Sequence, residues 1–537
     1  MPVFNSGGFV YTQRSLVPLK TIVAITCFIT FSITGILLFQ YCNNTNNRSS
    51  VNYKNDTSIQ IGKTLAVQFC QSCHLFPDPS LLDKKSWRNG VLPGMGPRLG
   101  ILEFNGQYYT SSKDYNNIPP DYYPKEPLLT QLQWQHIIEY YLATAPDSLP
   151  KANRAEKMIS GLPHFTLQIP KRKFSLPSTC YISIDTTNAD KRIFFADANS
   201  QSLYVYNKDL VPVDSIHTKG AVVDIVFDKS RLIACNMGFM NPGNDKLGFL
   251  QIFSRISANH GLYGNEEKKF TGLARPVQVN YVDLNQDRRK DYLICEFGNL
   301  TGALIWMEQM ANGSFTRHVL REAPGAIKSI VTDYNHDGLP DILSLFTQAQ
   351  EGIVLYTNKG KGKFEEKQLM RFPPVYGSSS FELDDFNMDG YQDILYTCGD
   401  NADYSPIVKP YHGIYIFLND GKYHFTQEYF FPLSGCFKAM ARDFDGDGNL
   451  DIASIAFFTD PTEKEKGFVY LHNKGGLLFQ PYTFPEAASG HWLTMDVNDL
   501  DGDGKPDIIL GNFNFSTQEN NDSLHINNSS FLLLKNR

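Results

Sequence analysis

At 537 residues the chain exceeds one ordinary core, so two or more domains are expected. Its 42% hydrophobic and 13% aromatic content, against 20% charged residues, excludes a disordered chain and favours β-structure. The net charge of −7, from 49 Lys and Arg against 56 Asp and Glu, gives nucleic-acid binding no support, because that needs a concentrated basic face.

Thr21 to Tyr41 hold no charged residue over the length a helix needs to cross the hydrocarbon core. Arg14 and Lys20 precede this segment and no charge follows until Arg48. Residues 1–20 are therefore expected in the cytoplasm and residues 21–41 as an uncleaved, single-pass anchor in the cell membrane. The remainder is expected on the periplasmic, extracytoplasmic side. Residues 42–57 are rich in Asn and Ser and read as a tether.

Residues 58–147 read as a small all-α domain. One short amphipathic helix is expected over 59–69. A second, over 128–142, has Leu132, Ile137, Ile138 and Tyr141 at helical intervals. Cys70-Gln71-Ser72-Cys73-His74 follows the first helix. Two thiols at this spacing reach the two vinyl groups of one porphyrin and leave the next residue beneath the iron, which is the signature of covalent haem attachment. A redox disulfide lacks a βαβ context here, and a zinc site lacks a second Cys/His pair nearby. Gly62-Lys63, Ala66, Cys70, Cys73 and His74, with Trp134 and Tyr140-Tyr141 on the closing helix, make the region resemble a class I cytochrome c domain. That resemblance implies haem c on Cys70 and Cys73, iron ligated by His74, and a distal Met. Met95, the one Met between Cys73 and Met158, inherits the distal role; His136 or an open position is the alternative.

Residues 148–171 read as a linker, after which helical periodicity gives way to short alternating strands. Residues 172–537 then repeat. Five acidic loops start at Asp283, Asp333, Asp385, Asp443 and Asp499, at intervals of 50, 52, 58 and 56 residues. Each is followed by strand patterns, and about four strands per repeat of this length make a propeller blade. Two degenerate units near Asp185 and Asp228 bring the expected ring to seven blades. The whole chain is thus multidomain: a transmembrane helix, a small all-α cytochrome c domain and an all-β propeller.

Oxygens at loop positions 1, 3, 5 and 9 can converge on Ca²⁺, with Gly at position 6 permitting the sharp turn. The expected ligands are Asp283, Asn285, Asp287 and Asp291; Asp333, Asn335, Asp337 and Asp341; Asp385, Asn387, Asp389 and Asp393; Asp443, Asp445, Asp447 and Asp451; and Asp499, Asp501, Asp503 and Asp507. Affinity is expected to be highest in the two full Asp-x-Asp-x-Asp-Gly copies and lowest in the first, where Arg288 replaces Gly. An EF-hand is excluded, since Ser454 and Leu510 stand where its Glu would be. The loops and their spacing resemble FG-GAP/VCBS-type propeller repeats.

Electron transfer outside the cytoplasm is the expected function, with redox proteins as partners and the propeller as a docking platform. A haem-coupled dehydrogenase is one alternative, with Arg275, Lys328, Glu382, Lys438, His491 and Trp492 displayed at the channel. A calcium-dependent ligand-binding or adhesion protein, taking a small molecule or glycan, is the other. No nucleotide-binding Gly motif, nucleophile elbow or HExxH helix supports a catalytic assignment.

Overall fold

The structure, a computed structural model, describes residues 57–109, 117–153, 156–258, 261–402, 405–514 and 528–537. The expected cytoplasmic segment and anchor, and the tether up to residue 56, lie outside them. No helix among the described residues is long and apolar enough to cross a membrane.

Two helices frame the N-terminal region, α1 (Thr57–Cys70) and α2 (Gln131–Thr144). α2 starts at Thr130, whose Oγ accepts the Gln133 N–H at 3.2 Å while Gln133 Oε1 accepts the Thr130 N–H at 2.9 Å. This reciprocal capping fixes the start. The helices cross at Gly62, where a Cβ would stand 2.0 Å from the His136 carbonyl oxygen, so only Gly allows the approach. Between them, Leu92–Met95 is one of a run of short helical turns. Trp87, Trp134 and Tyr141 are buried, and Trp87 packs on Tyr141 with ring centroids 4.4 Å apart.

Residues 179–536 form seven antiparallel blades, at 179–217, 222–273, 276–321, 326–371, 378–432, 436–483 and 492–536. The innermost strand of each touches its counterparts in the adjacent blades, so these strands surround the axis. Second strands such as Asp341–Phe346 and Asp451–Ala456 are buried throughout, because neighbouring blades cover both of their faces. Blade 7 takes its outermost strand from the other end of the sequence: Phe165–Gln168 pairs antiparallel with Phe531–Asn536. Ile159–Ser160 adds a short parallel strand to blade 6. The expected linker at 148–171 is therefore corrected in part to ring-closing structure. Its four-residue strand completes a sheet only against a partner more than three hundred positions away, which local periodicity does not reveal.

The ninth residue of each acidic loop opens a second strand. Asp291, Asp341, Asp393, Asp451 and Asp507 are no more than 2% exposed. One carboxylate oxygen accepts the N–H ending the third strand, from Gln309, Asn358, Asn419, Asn473 and Asn536, at 2.7–2.8 Å. The other accepts the N–H of loop position two in four blades, from Leu284, Tyr334, Phe386 and Leu500. In blade 6 it takes the Tyr470 hydroxyl instead. Each carboxylate thus ties its loop to the far end of its own sheet.

Val375 and Ile407, in the loops beneath blade 5, pack on the core of the helical region. Tyr411 Oη donates to the Leu81 carbonyl at 3.0 Å. On the other side, the Asn117 amide donates to Asp245 of blade 2. Blades 2 and 5 stand three places apart in the ring, so the helical region reaches across the mouth of the channel. The loops it touches connect second to third strands or one blade to the next, and they lie on the face opposite the acidic loops. On the same face Glu351, 3% exposed, accepts the Ser378 N–H at 3.0 Å and its hydroxyl at 2.6 Å. Burial pushes its pKa up from 4.5 to about 8.

Asp393→Ala would strand two buried N–H groups at about 1–3 kcal/mol each. Urea unfolding should therefore show a loss of roughly 4 kcal/mol, against about 1 kcal/mol or less for Asp389→Ala on the exposed loop in calcium-free buffer. For Glu351 the folded pKa lies above the unfolded one. Its stabilising contribution is accordingly full below 4.5 and lost as pH rises through about 8. Glu351→Gln should match the wild type near about pH 5 and be the more stable near about pH 9; parallel pH profiles would show instead that the carboxyl is solvated.

Candidate functional site

α1 ends at Cys70 and the chain turns at once. The Ser72 hydroxyl donates to the Phe69 carbonyl at 2.7 Å and tightens that turn. Cys70 is half-buried, its thiol pushed up to about 11 by burial, whereas Cys73 is exposed. His74 Nδ1 lies 2.8 Å from the Leu75 carbonyl, so Nδ1 carries the proton and Nε2, without a hydrogen bond among the described residues, keeps its lone pair. Burial holds the imidazole below its ordinary pKa and keeps it neutral, the form that ligates metal. Tyr141 donates to the Pro77 carbonyl at 2.9 Å and ties the segment after the motif to α2. Cys70 and Met95 border the same hydrophobic cluster. His136 sits at the helix crossing with Nδ1 buried and unbonded, 3.6 Å from Glu139. Two thiols in the required register, a neutral His with its second nitrogen anchored and a thioether beside the same cluster fit a haem c donor set. Among the described residues the other cysteines, Cys180, Cys235, Cys295, Cys398 and Cys436, are buried free thiols that fill the blades.

The five acidic loops join innermost to second strands. In each, the first carboxylate accepts the N–H of position six and the fifth accepts that of position seven, as Asp443 does from Gly448 at 3.0 Å and Asp447 from Asn449 at 2.8 Å. Backbone φ is positive at position six and also at position four, where Gln286, His336 and Met388 take the left-handed form that Gly446 and Gly502 adopt without strain. Oxygens within 4.8 Å of one another gather in the two full copies, from Asp443, Asp445 and Asp447 and from Asp499, Asp501 and Asp507.

The surroundings differ between loops. In blade 7, Lys191 stands 3.0 Å from Asp499 and Lys535 stands 2.6 Å from Asp501, whose carboxyl it holds below the usual range. Blade 3 fills its loop with its own cation, the Arg289 guanidinium on Asp287, while the Asn285 amide donates to Glu308 at 2.8 Å. In blades 4 and 5, Asn335 and Asn387 donate to Asp337 and Asp389 at 2.9 Å. Position nine, expected as a calcium ligand, is already used by the sheet, although Asp507 still contributes an oxygen to its cluster.

Of the expected channel residues, Lys328, Glu382 and Lys438 lie on innermost strands around the axis. Lys438 donates to the Met495 carbonyl at 2.9 Å, and Glu382 accepts from the Ala441 N–H at 3.2 Å and from Arg442 at 3.4 Å. Burial lowers Lys328 to about 8 and raises Asp224 to about 6 and Asp384 to about 7. Acids and bases here compensate one another, the pattern of a structural network. Arg275, His491 and Trp492 serve packing instead. Arg275 donates to the Gly298 and Met240 carbonyls, His491 packs against Phe457, and Trp492, 1% exposed, donates to Ala487 at 2.8 Å. The third-strand Asn residues escaped the sequence reading, though Asn358-x-Gly360, Asn419-x-Gly421 and Asn473-x-Gly475 recur after strand patterns and could have revealed them.

Among solved structures, a chain from an S. cerevisiae assembly of a dbp5 variant bound to nup159, a gle1 variant, ip6 and adp aligns at TM-score 0.40 and 11% identity. The alignment covers 72% of this chain and 98% of that one, and a likeness of that order says nothing about what this chain binds. No curated protein matches. The FG-GAP-like repeat family matches residues 333–396 and 443–510, which cover most of blade 4, the start of blade 5, blade 6 and the first half of blade 7. The chain therefore carries FG-GAP-like repeats within a seven-bladed β-propeller.

Proposed function

We propose that this chain is a membrane-anchored c-type cytochrome that passes electrons outside the cytoplasm, with a calcium-stiffened propeller as its docking platform. The observation that carries the reading is the end of α1. There Cys70, Cys73 and His74 follow in the register that haem attachment requires, and His74 has one nitrogen fixed on a carbonyl and the other left for metal. Haem c, when bound, supplies an iron that cycles between ferric and ferrous states. Cys70 and Cys73 would tether it through their sulfurs, and His74 Nε2 and the Met95 thioether would be its iron ligands. The buried cluster of Trp87, Trp134 and Tyr141 keeps water from that side of the site. Residues 21–41 supply the single membrane span, with the haem and propeller domains on the periplasmic side. A propeller with FG-GAP-like repeats supports a ligand-binding or docking role, and redox proteins are the partners it would hold.

The alternative of a small-molecule or glycan ligand has one observation in its favour. A cavity of about 430 Å³ between blades 2 and 3 is lined by Lys246, Glu296, Thr301, Arg317 and Glu322, and the buried Thr301 hydroxyl has no hydrogen-bond partner.

Protein produced with haem-attachment machinery should keep its haem through denaturation in a pyridine-haem assay, and Cys73→Ser should weaken that retention. Loss of all haem on denaturing the wild type would end the cytochrome reading. Met95→His should lower the reduction potential and abolish the sulfur-to-iron band of the ferric spectrum, because a thioether ligand raises the potential. For the loops, calcium at about 100 times its Kd should add about 3 kcal/mol per occupied site, and a chelator should reverse the rise in Tm. A Tm indifferent to calcium would leave the loops as ion-free acidic turns.

A further inference from the structure

The acidic loop of blade 6 differs from the other four in what faces its third position. His164 Nε2 lies 3.9 Å from Asp445 Oδ2, and His472 Nδ1 lies 3.6 Å from the same oxygen. The three donor atoms all fall within 4.8 Å of one another, and the two imidazole centroids are 5.4 Å apart. Around an ion about 2.1 Å from each of its ligands in tetrahedral array, donors stand roughly 3.4 Å apart, so small side-chain shifts would close the site. We propose that His164, Asp445 and His472 bind a transition-metal dication such as Zn²⁺, and that the ion fastens the ring-closing segment to blade 6.

The three ligands come from three separate elements, each held by contacts of its own. His164 immediately precedes the closing strand, and its carbonyl accepts the Arg537 N–H at 3.0 Å. His472 is the penultimate residue of the third strand, Phe468–Asn473, and its Nδ1 lies 3.2 Å from Asp451. Asp445 keeps its other oxygen on the Asp447 N–H at 3.2 Å. The residue before the strand-ending Asn or Gln is Glu308, Thr357, Leu418 and Lys535 in blades 3, 4, 5 and 7, so blade 6 alone places an imidazole there. In blade 7 the corresponding Lys535 neutralises Asp501 directly. In blade 6 the same place holds an imidazole, whose Nδ1 now donates to Asp451 and would offer a lone pair once its proton sits on Nε2, and a second imidazole nitrogen arrives from the closing segment. Two imidazoles and one carboxylate suit Zn²⁺, Co²⁺ or Ni²⁺, whereas Ca²⁺ takes oxygen donors only. On binding, His472 would take the tautomer with its proton on Nε2, and water would complete the coordination. Side-chain exposures of 30% for His164 and 16% for Asp445, against 8% for His472, leave an approach open from the His164 side.

Co²⁺ titration of the chelator-stripped full chain tests the site through its visible d–d absorption. One ion per chain should bind without a thiolate charge-transfer band and without displacement by equimolar Ca²⁺, and it should raise Tm. His164→Gln and His472→Gln should each weaken this binding by about 100-fold or more, with His164→Gln, at the more exposed position, melting like the wild type in chelator. Unchanged affinity in both variants, a spectrum dominated by thiolate ligation, or displacement by calcium would overturn the proposal. Because the readout is the Co²⁺ spectrum, failure of calcium to stabilise the other loops would leave the result intact.

Discussion

The propeller rests on one junction, the pairing of Phe165–Gln168 with Phe531–Asn536. Every blade hides its second strand between two neighbours, so a ring missing one seam would expose the faces of blades 7 and 1 together with a bare strand edge. Sequence separation is no obstacle to this junction, since each doubling of a closed loop costs only about 0.6 kcal/mol. What the junction needs is side chains that seal it, and Phe531, Leu532, Leu533 and Leu534 are each no more than 1% exposed. The same seam carries Arg537, whose N–H holds the His164 carbonyl and so sets one of the two imidazoles facing Asp445.

Ring closure also fixes the helical region. The chain leaves α2 at Thr144, adds Ile159–Ser160 to blade 6 and then becomes the outermost strand of blade 7, so the helical region is tied to the ring at its C-terminal end. It is also held by Val375, Ile407 and Tyr411 beneath blade 5. A cofactor at the end of α1 would therefore have a fixed position relative to the propeller, and the acidic loops on the far face would remain available to other contacts. Around the axis Glu382 pairs with Arg442, while Lys438 and Asp224 are held by backbone groups, so these charges serve the seams between blades.

The sequence made legible whatever depends on neighbours along the chain. Cys70, Cys73 and His74 adjoin a helix end, and the Asp loops carry their turn geometry within nine residues, so both could be read directly. Five blades followed from the repeat spacing, and the seven of the structure only with the two degenerate units near Asp185 and Asp228. Contacts closed by distant residues escaped. The Phe165–Gln168 strand has a partner only after the ring forms, and Lys191, Lys535, His164 and His472 meet the loops from other blades or other strands. Trp492 was read as a channel residue because it precedes an Asp loop, but the first residue of an innermost strand lies under the neighbouring loops, where a large indole is better buried than displayed.

That division bears on how the loops rank. By motif alone blades 6 and 7 are equals, both with full Asp-x-Asp-x-Asp-Gly. In three dimensions an ammonium 2.6 Å from Asp501 and another 3.0 Å from Asp499 supply blade 7 with the positive charge a cation would bring, and any calcium there must displace them. Blade 3 is filled in the same manner by Arg289. In blades 4 and 5 the loop has a neutral Asn at position three and no ammonium or guanidinium pairing with the loop carboxylates among the described contacts, so an incoming cation meets less charge but also no competitor. Blade 6 offers nitrogen beside oxygen. Between blades 6 and 7, whose motifs are equal, the preference is thus set less by the nine loop residues than by the side chain that the third strand places against position three, His472 in one and Lys535 in the other.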